Sequence, residues 1–291
     1  MIATWEALLS VSPMDRFSKS EPTPEAFAGL LAIPADRPVA TVTLVRIRRD
    51  QPRARLVAAV REWRTIISGI LEDYGCHEPV YGRVIGTIVG PEAYWDHLVV
   101  THYPSRRALM QSAMDERIID AIDVRRAFIE ETLSLVVDGA DPAAPGSPPL
   151  SIVPAMQPGP VADDPLEPAV NHAGTIKGKD PLFVVGITRF RTDVPREQAE
   201  GAYHRWRAAL RLVAEDIEAM SFPLSARVHQ VYVGAAGAWD LVNITRYGDT
   251  DSYRRSLEHP ALLSGRQMRA LALEDSLLMV VRDHTRAASA S

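Results

Sequence analysis

The stretch that decides the fold is Trp95 to Tyr103, WDHLVVTHY, because it returns 144 positions later as Trp239 to Tyr247, WDLVNITRY. The match runs without a gap from Arg83 to Val137. With an offset of 143 it continues upstream through Trp63 and its counterpart Trp206. Chance similarity does not hold tryptophans and arginines in register over such a length. The repeat therefore predicts a tandem duplication of one structural unit.

Each copy shows the same succession of hydrophobic periods. An alternating, β-branched run predicts a strand, and apolar residues spaced by three and four predict a helix after it. A hairpin, a second helix at about 107–130 or 251–274, and a short last strand follow. The predicted strands are Val39–Arg48, Arg83–Val89, His97–Tyr103 and Leu133–Val137, then Leu182–Arg191, Arg227–Val233, Leu241–Tyr247 and Leu277–Val281. The order β-α-β-β-α-β is the split-βαβ pattern. We predict an α+β fold in which two tandem ferredoxin-like βαββαβ repeats form an intrachain dimeric α+β barrel.

Composition divides the chain into five segments. The segment between the repeats is rich in Pro, Ala and Gly and lacks an apolar period, as is typical of a linker. Short helices are expected in the leader at about 3–10 and 24–31. The predicted segments are a leader 1–37, a first repeat 38–138, a linker 139–180, a second repeat 181–284 and a C-terminal tail 285–291.

The bulk properties exclude several classes of function. A net charge of −5 without a basic run disfavours a nucleic-acid partner. The single cysteine, Cys76, excludes an intrachain disulfide and a cysteine-cluster metal site. No signal peptide is apparent and the apolar runs are too short for a bilayer, so we expect a cytoplasmic protein without a membrane partner. A small-molecule substrate is the expected partner, and a homodimer is left open.

Strand alternation sorts the polar residues of the hairpin strands into one face. We predict that this mixed face lines the barrel between the sheets and that the wholly apolar face packs on the helices. Candidate acid or base groups are His97 and His229, with Tyr103 and Tyr247 as hydrogen-bond donors to a carbonyl or enolate. Candidate substrate-binding residues on the same face are Thr101, Thr245 and Asn243. The alternative is that all of them are satisfied interior polar groups.

The two copies differ in polarity on this face. His97 aligns with Leu241, Val99 with Asn243, and Ile85 with His229. The differences predict a lopsided pocket in which the halves have specialised.

Two helix arginines and two residues at strand ends complete the candidates. Arg125 and Arg269 lie on otherwise apolar helical stripes, where an arginine binds either a ligand carbonyl or carboxylate or an internal acidic partner. His102 and Arg246 lie at strand ends, where a site in the clefts between sheet and helices would reach them. His97 and His102 point to opposite faces of a strand, so they do not chelate one metal, and no metal site is predicted.

The run Trp95 to Ala108, followed by Arg125, resembles the dimeric α+β-barrel superfamily, closest to its small EthD-like and antibiotic-biosynthesis-monooxygenase-like domains. The resemblance implies an eight-stranded barrel. It also implies a range of activities, from cofactor-free monooxygenases, polyketide cyclases and lactone isomerases to haem proteins. Members often carry an aromatic residue on the second helix where this chain has Ile118 and Leu262.

From the resemblance we expect a cofactor-independent cyclase, isomerase or monooxygenase that acts on an apolar, carbonyl-bearing molecule, polyketide-like or aromatic. A haem-binding protein and a non-catalytic small-molecule binding protein are the alternatives.

Overall fold

The computed structural model describes residues 22–89, 95–139, 176, 178–217, 220–234 and 239–284. The helix predicted at 3–10, residues 90–94 between the two strands of the first predicted hairpin, most of the linker and the tail 285–291 lie outside these residues. The helix predicted at 24–31 is present as Pro24–Leu30. It begins where the Thr23 hydroxyl accepts a hydrogen bond from the Ala26 amide at 3.2 Å.

Both repeats follow the predicted order of elements. The leader and first repeat contain α1 (Pro24–Leu30), β1 (Val39–Ile47), α2 (Arg53–Asp73), β2 (His77–Val89), β3 (His97–Tyr103), α3 (Arg106–Ala113), α4 (Glu116–Asp120), α5 (Ile122–Phe128) and β4 (Ile129–Asp138). The second repeat contains β5 (Leu182–Phe190), α6 (Arg196–Asp216), β6 (Ser221–Val233), β7 (Leu241–Tyr247), α7 (Thr250–Glu258), α8 (Pro260–Ala272) and β8 (Leu273–Asp283).

The eight strands are arranged in the closed order β1-β3-β2-β8-β5-β7-β6-β4. The strand pairs whose register is resolved are antiparallel. This order confirms the predicted α+β barrel built from two βαββαβ repeats within one chain.

Among the described residues, the first compact unit comprises 22–81, 95–139 and 228–234. Within it β1 lies between β3 and β4, with Thr41 opposite Thr101 on one side and Val136 on the other. The far edge of β4 pairs with the last residues of β6, where Ser134 is opposite Val233. A strand end from the second repeat therefore belongs to the sheet of the first unit.

Among the described residues, the second compact unit comprises 82–89, 176, 178–217, 220–227 and 239–284. Within it β5 lies between β7 and β8, with Gly186 opposite Asn243 and Leu278. Strand β8 also pairs with the end of β2, where Gly82 is opposite Asp283. A Cβ at Gly82 would come within 2.4 Å of the Arg282 carbonyl oxygen, so a side chain at this position would force the strands apart. Strands β2 and β6 each contribute to both units, so the compact units do not coincide with the repeats. The predicted repeat boundaries, 38–138 and 181–284, therefore stay a prediction.

The aspartates of the repeated Trp-Asp pair accept hydrogen bonds from backbone amides at the ends of β1 and β5. The Asp96 carboxylate accepts a hydrogen bond from the Ile47 amide at 2.8 Å. The Asp240 carboxylate accepts one from the Phe190 amide at 2.7 Å. The same bond in both copies explains why the pair recurs: it satisfies an amide that the strand ladder leaves over.

The structure corrects the predicted second helix, which is interrupted in both copies. In the first repeat it is divided into α3, α4 and α5, and Asp115 accepts a hydrogen bond from the Arg117 amide at the start of α4. In the second repeat Pro260 ends one helix and begins the next, because proline lacks the amide that a continuous helix needs. The last strands begin earlier than predicted, at Ile129 and Leu273.

The structure also corrects the length of β2 and β6. The sequence predicts starts at Arg83 and Arg227, whereas the strands begin at His77 and Ser221. In the described part of the chain, no helix is long and apolar enough to span a bilayer.

Candidate functional site

The first compact unit contains a cavity of about 600 Å³ between its sheet and its helices. Strands β1, β3 and β4 form its floor, α2 to α5 cover it, and Pro22, Pro24 and Phe27 of the leader border it. His97 and Tyr103 lie six residues apart on β3, so the floor extends for about 20 Å along the strand.

The cavity shows that the predicted direction of the two sheet faces is wrong. The mixed face, with Thr41, Thr43, His97, Thr101 and Tyr103, looks toward the helices and lines the cavity. The wholly apolar face lies on the opposite side of the sheet, and its Val42, Leu44, Leu98 and Val100 are 0% exposed. Alternation separates the two faces, but it does not say which one meets the helices.

Most of the cavity wall is apolar. Trp63 and Val60 of α2 pack with Val45 of β1 and Phe128 of α5 in one cluster. Further apolar lining comes from the helices, at Ile67, Ile70, Ile118, Ile119 and Ile122. Such a wall favours a ligand with a large apolar surface.

A stack of charged and aromatic side chains forms one flank of the cavity. The Arg64 guanidinium lies 4.3 Å from the centre of the Tyr81 ring. Tyr81 stacks on His97 with the ring centres 5.8 Å apart and the planes 8° from parallel. Arg64 also forms an ion pair with Glu78 at 3.4 Å. Two proton-exchanging groups, His97 and Glu78, therefore belong to the same wall.

Burial raises the pKa of Glu78 above its ordinary value, and the neighbouring Arg64 acts in the opposite direction. A carboxyl group with a raised pKa in a cavity is typical of acid–base sites, although ion-pair networks produce such shifts too.

The raised pKa predicts how stability depends on pH. The folded state holds the Glu78 proton more tightly than the unfolded state, so folding is favoured as pH falls from neutral through the folded pKa toward 4.5. Wild type should therefore gain stability relative to Glu78→Gln over that interval. Urea unfolding of both proteins between neutral pH and the ordinary carboxyl range measures the difference. Parallel curves would contradict the shift.

A second group of polar side chains in the cavity includes Tyr103 and Tyr232. Burial raises the pKa of Tyr103, while hydrogen bonds from the Thr41 and Thr101 side chains act in the opposite direction. Burial also raises the pKa of Tyr232, whose hydroxyl interacts electrostatically with Tyr103 and Arg125. Both phenols therefore stay protonated over the physiological range and act as hydrogen-bond donors. Arg125 donates to the Thr132 hydroxyl at 3.2 Å and lies 6.0 Å from the Trp63 ring.

In the second repeat, larger side chains occupy the positions equivalent to the cavity wall. Tyr203 replaces Val60, Phe190 replaces Ile47 and Tyr253 replaces Leu109, and all three are buried in one cluster. Asn243, which replaces Val99, donates to the Tyr203 hydroxyl and accepts from Arg207. The two copies therefore differ in how the equivalent space is used: side chains fill it in the second repeat, and it is a cavity in the first.

The structure brings four of the predicted site residues together in the cavity: His97, Thr101, Tyr103 and Arg125. The other candidates from the first repeat and from β6 lie elsewhere. His102 packs on His77 with ring centres 5.0 Å apart. His229 bonds the Asp138 carboxylate through Nε2 at 2.9 Å and is not among the lining residues.

The remaining predicted residues belong to the second compact unit and make internal contacts there. The Tyr247 hydroxyl accepts a hydrogen bond from Ser256 at 3.2 Å, and Thr245 is buried in the strand beside it. Arg246 pairs with Asp283 at 3.1 Å. Arg269 is 6% exposed and donates to the Ser276 hydroxyl at 2.8 Å, which repeats the bond from Arg125 to Thr132.

Among the polar residues of the cavity that sequence reasoning missed are Arg64, Glu78, Tyr81 and Tyr232. Glu78 and Tyr81 lie in the part of β2 that was not predicted as strand. Arg64 is one helical position past Trp63, on the border of the apolar stripe. Tyr232 could have been found from the alignment of the two repeats, because its counterpart is the aliphatic Ile88 and the two residues differ in polarity.

No protein-family model matches the chain, and no curated protein matches it in sequence. Among solved structures, a protein of unknown function from Rhodopseudomonas palustris is 22% identical over 43% of this chain and 98% of its own, with a TM-score of 0.38. A protein provisionally assigned as a monooxygenase from Fusobacterium nucleatum is 9% identical over 85% and 92%, with a TM-score of 0.47. A mutant chlorite dismutase from Candidatus Nitrospira defluvii is 10% identical over 89% and 97%, with a TM-score of 0.46. Function is therefore inferred from the site itself.

Proposed function

We propose that the chain is a cofactor-independent enzyme that acts on a largely apolar, carbonyl-bearing small molecule, polyketide-like or aromatic, held in the first-repeat cavity. One observation carries the proposal: His97 and Glu78, two proton-exchanging groups, share one wall of a largely apolar cavity. A volume of about 600 Å³ falls within the range typical of small-molecule sites.

The arrangement suits proton transfer next to a carbonyl. In the proposed reaction His97 takes a proton from the carbon beside the carbonyl, since an imidazole accepts protons near neutral pH. The carbonyl oxygen then carries the enolate charge, and the Tyr81 hydroxyl and the Arg64 guanidinium, which lie beside His97, would donate to it. Return of the proton to another carbon is an isomerisation, and attack of the enolate carbon on a second carbonyl is a cyclisation. Oxygenation would consume O₂ as a co-substrate.

Among the described lining residues, few side chains could serve a haem iron as an axial ligand. A haem iron needs an axial imidazole, thiolate or phenolate. Among the described lining residues the only imidazole is that of His97. Burial disfavours the phenolate forms of Tyr103 and Tyr232, and it raises the pKa of the Cys76 thiol to about 11. A Soret band in the purified protein would overturn this assignment.

A model ketone tests the proposal without knowledge of the natural substrate. We expect 1-acetonaphthone to quench Trp63 fluorescence on binding, and we expect the protein to exchange the methyl hydrogens of its acetyl group for deuterium in D₂O. Trp63→Phe identifies the emission from the cavity. Mass spectrometry follows the exchange. Quenching without accelerated exchange would indicate a binding protein that is not an enzyme, and the absence of both would refute the site.

A further inference from the structure

We propose that Tyr232 of the second repeat, together with Tyr103 and Arg125 of the first, forms an oxygen-binding corner that selects ligands with a hydrogen-bond acceptor at that end. The corner deepens the proposed function and rests on the same cavity. It adds the residue that recognises a ligand oxygen at the end of the cavity away from His97, and the chemical class of that oxygen: a ketone, quinone or phenolate.

The long strand β6 carries Tyr232 into the first compact unit. The residues on either side of it pair with β4, Val231 opposite Leu135 and Val233 opposite Ser134. The Tyr232 ring packs edge-on against Phe27, with ring centres 5.5 Å apart. The side chain is therefore held against the cavity from the sheet on one side and from the leader helix on the other.

The hydroxyl of Tyr232 is the unusual feature of this position. The residue lines the cavity and is 8% exposed, yet its oxygen has no hydrogen-bond partner among the described residues. A buried hydroxyl without a partner costs free energy, and native structures rarely keep one without a reason. A ligand oxygen in the cavity would supply the missing acceptor.

Two further donors line the same cavity, and one of them, Tyr103, packs against the cluster that contains Tyr232. The hydroxyl of Tyr232 interacts electrostatically with Tyr103 and with the Arg125 guanidinium. Because burial keeps both phenols protonated, the corner offers O–H and N–H groups. Donors of this kind favour an acceptor oxygen, and the positive charge of Arg125 favours one that carries negative charge.

The second repeat shows that the fold does not need a hydroxyl at this position. The counterpart of Tyr232 is Ile88, a buried aliphatic residue in the core of the second unit. The two positions share their place at the end of a long strand but differ in polarity. The phenol is present only in the repeat that has an open cavity. This is what we expect of a residue that contacts a ligand.

A matched pair of probes separates the corner from the cavity. 1-Acetonaphthone carries a carbonyl oxygen, and 1-ethylnaphthalene has a similar shape without it. For wild type we expect the ketone to bind about tenfold more tightly than the hydrocarbon, as one or two buried hydrogen bonds would give. In Tyr232→Phe the ketone should lose most of that advantage, while the hydrocarbon should bind as it does to wild type.

Tyr253→Phe is the control variant. Tyr253 is 2% exposed and its hydroxyl also lacks a partner among the described residues, but it does not line the cavity. It should keep the wild-type preference for the ketone. Thermal unfolding should show that Tyr232→Phe is at least as stable as wild type, because the change removes an unpartnered hydroxyl.

The outcomes distinguish the two proposals. If both probes bind wild type and Tyr232→Phe leaves their ratio unchanged, the corner is wrong and the cavity stands. The corner is also wrong if both probes weaken equally in that variant. If neither probe binds wild type, the cavity proposal fails, and the corner fails with it.

Discussion

His97→Ala slows the exchange of acetyl hydrogens in 1-acetonaphthone by about 10²–10⁴-fold, the range expected when a general base is lost. Affinity for the ketone changes far less, because the apolar wall is intact. His97 contacts the cavity from β3 and stacks on Tyr81. Its loss should leave the melting temperature within a few degrees of wild type. The rate is measured by mass spectrometry at saturating ketone.

The control for this experiment is His229→Ala. His229 bonds Asp138 and lies away from the lining residues, so its loss should leave the exchange rate unchanged. Equal rates in wild type and His97→Ala would remove His97 from the chemistry. Glu78→Gln is then the next variant to assay, because Glu78 is the other proton-exchanging group of the same wall.

Val60→Phe abolishes binding of both naphthalene probes, with affinity lowered on the order of a hundredfold, or about 2.8 kcal/mol. The second repeat shows the physical basis, since the equivalent Tyr203 is buried in a filled core. A phenyl group at position 60 occupies space that the ligand needs, and it packs on apolar neighbours that are already present. Fluorescence titration measures the affinity, and thermal unfolding should show stability equal to or above that of wild type.

Val57→Phe is the matched control, because Val57 lies one turn earlier on the same helix and is 50% exposed. It makes the same chemical change outside the cavity and should bind both probes like wild type. Tight binding by Val60→Phe would mean that the ligand occupies another place.

The repeat predicts the order of the strands well, because the same alternation of side chains occurs in both copies. Alternation in WDHLVVTHY and WDLVNITRY marks the same strand in each copy, and the Asp96 and Asp240 bonds confirm that the motif has the same task in both. A pattern that recurs in register is difficult to mistake for a loop.

The site was less accessible from the sequence, and particular residues show why. Glu78 and Tyr81 precede a run of regular alternation, so nothing local marks them as strand residues facing a cavity. The size of a cavity depends on differences in side-chain volume such as Val60 against Tyr203, which preserve the hydrophobic pattern. Tyr232 reaches the first unit through a strand pairing between residues about a hundred positions apart.

The division of β6 between the two compact units has a consequence for how the chain is made. The first unit lacks one strand of its sheet until Val228–Val233 has been synthesised, long after Asp138 has left the ribosome. The edge of β4 therefore has no pairing strand until β6 has been synthesised. Pairing between segments so far apart in sequence is intrinsically slow. An exposed strand edge is also a template for other chains. Newly made chains should thus depend on chaperones most strongly in the interval between the two repeats, and a ribosome-bound chain that stops within the linker should be readily digested by proteases.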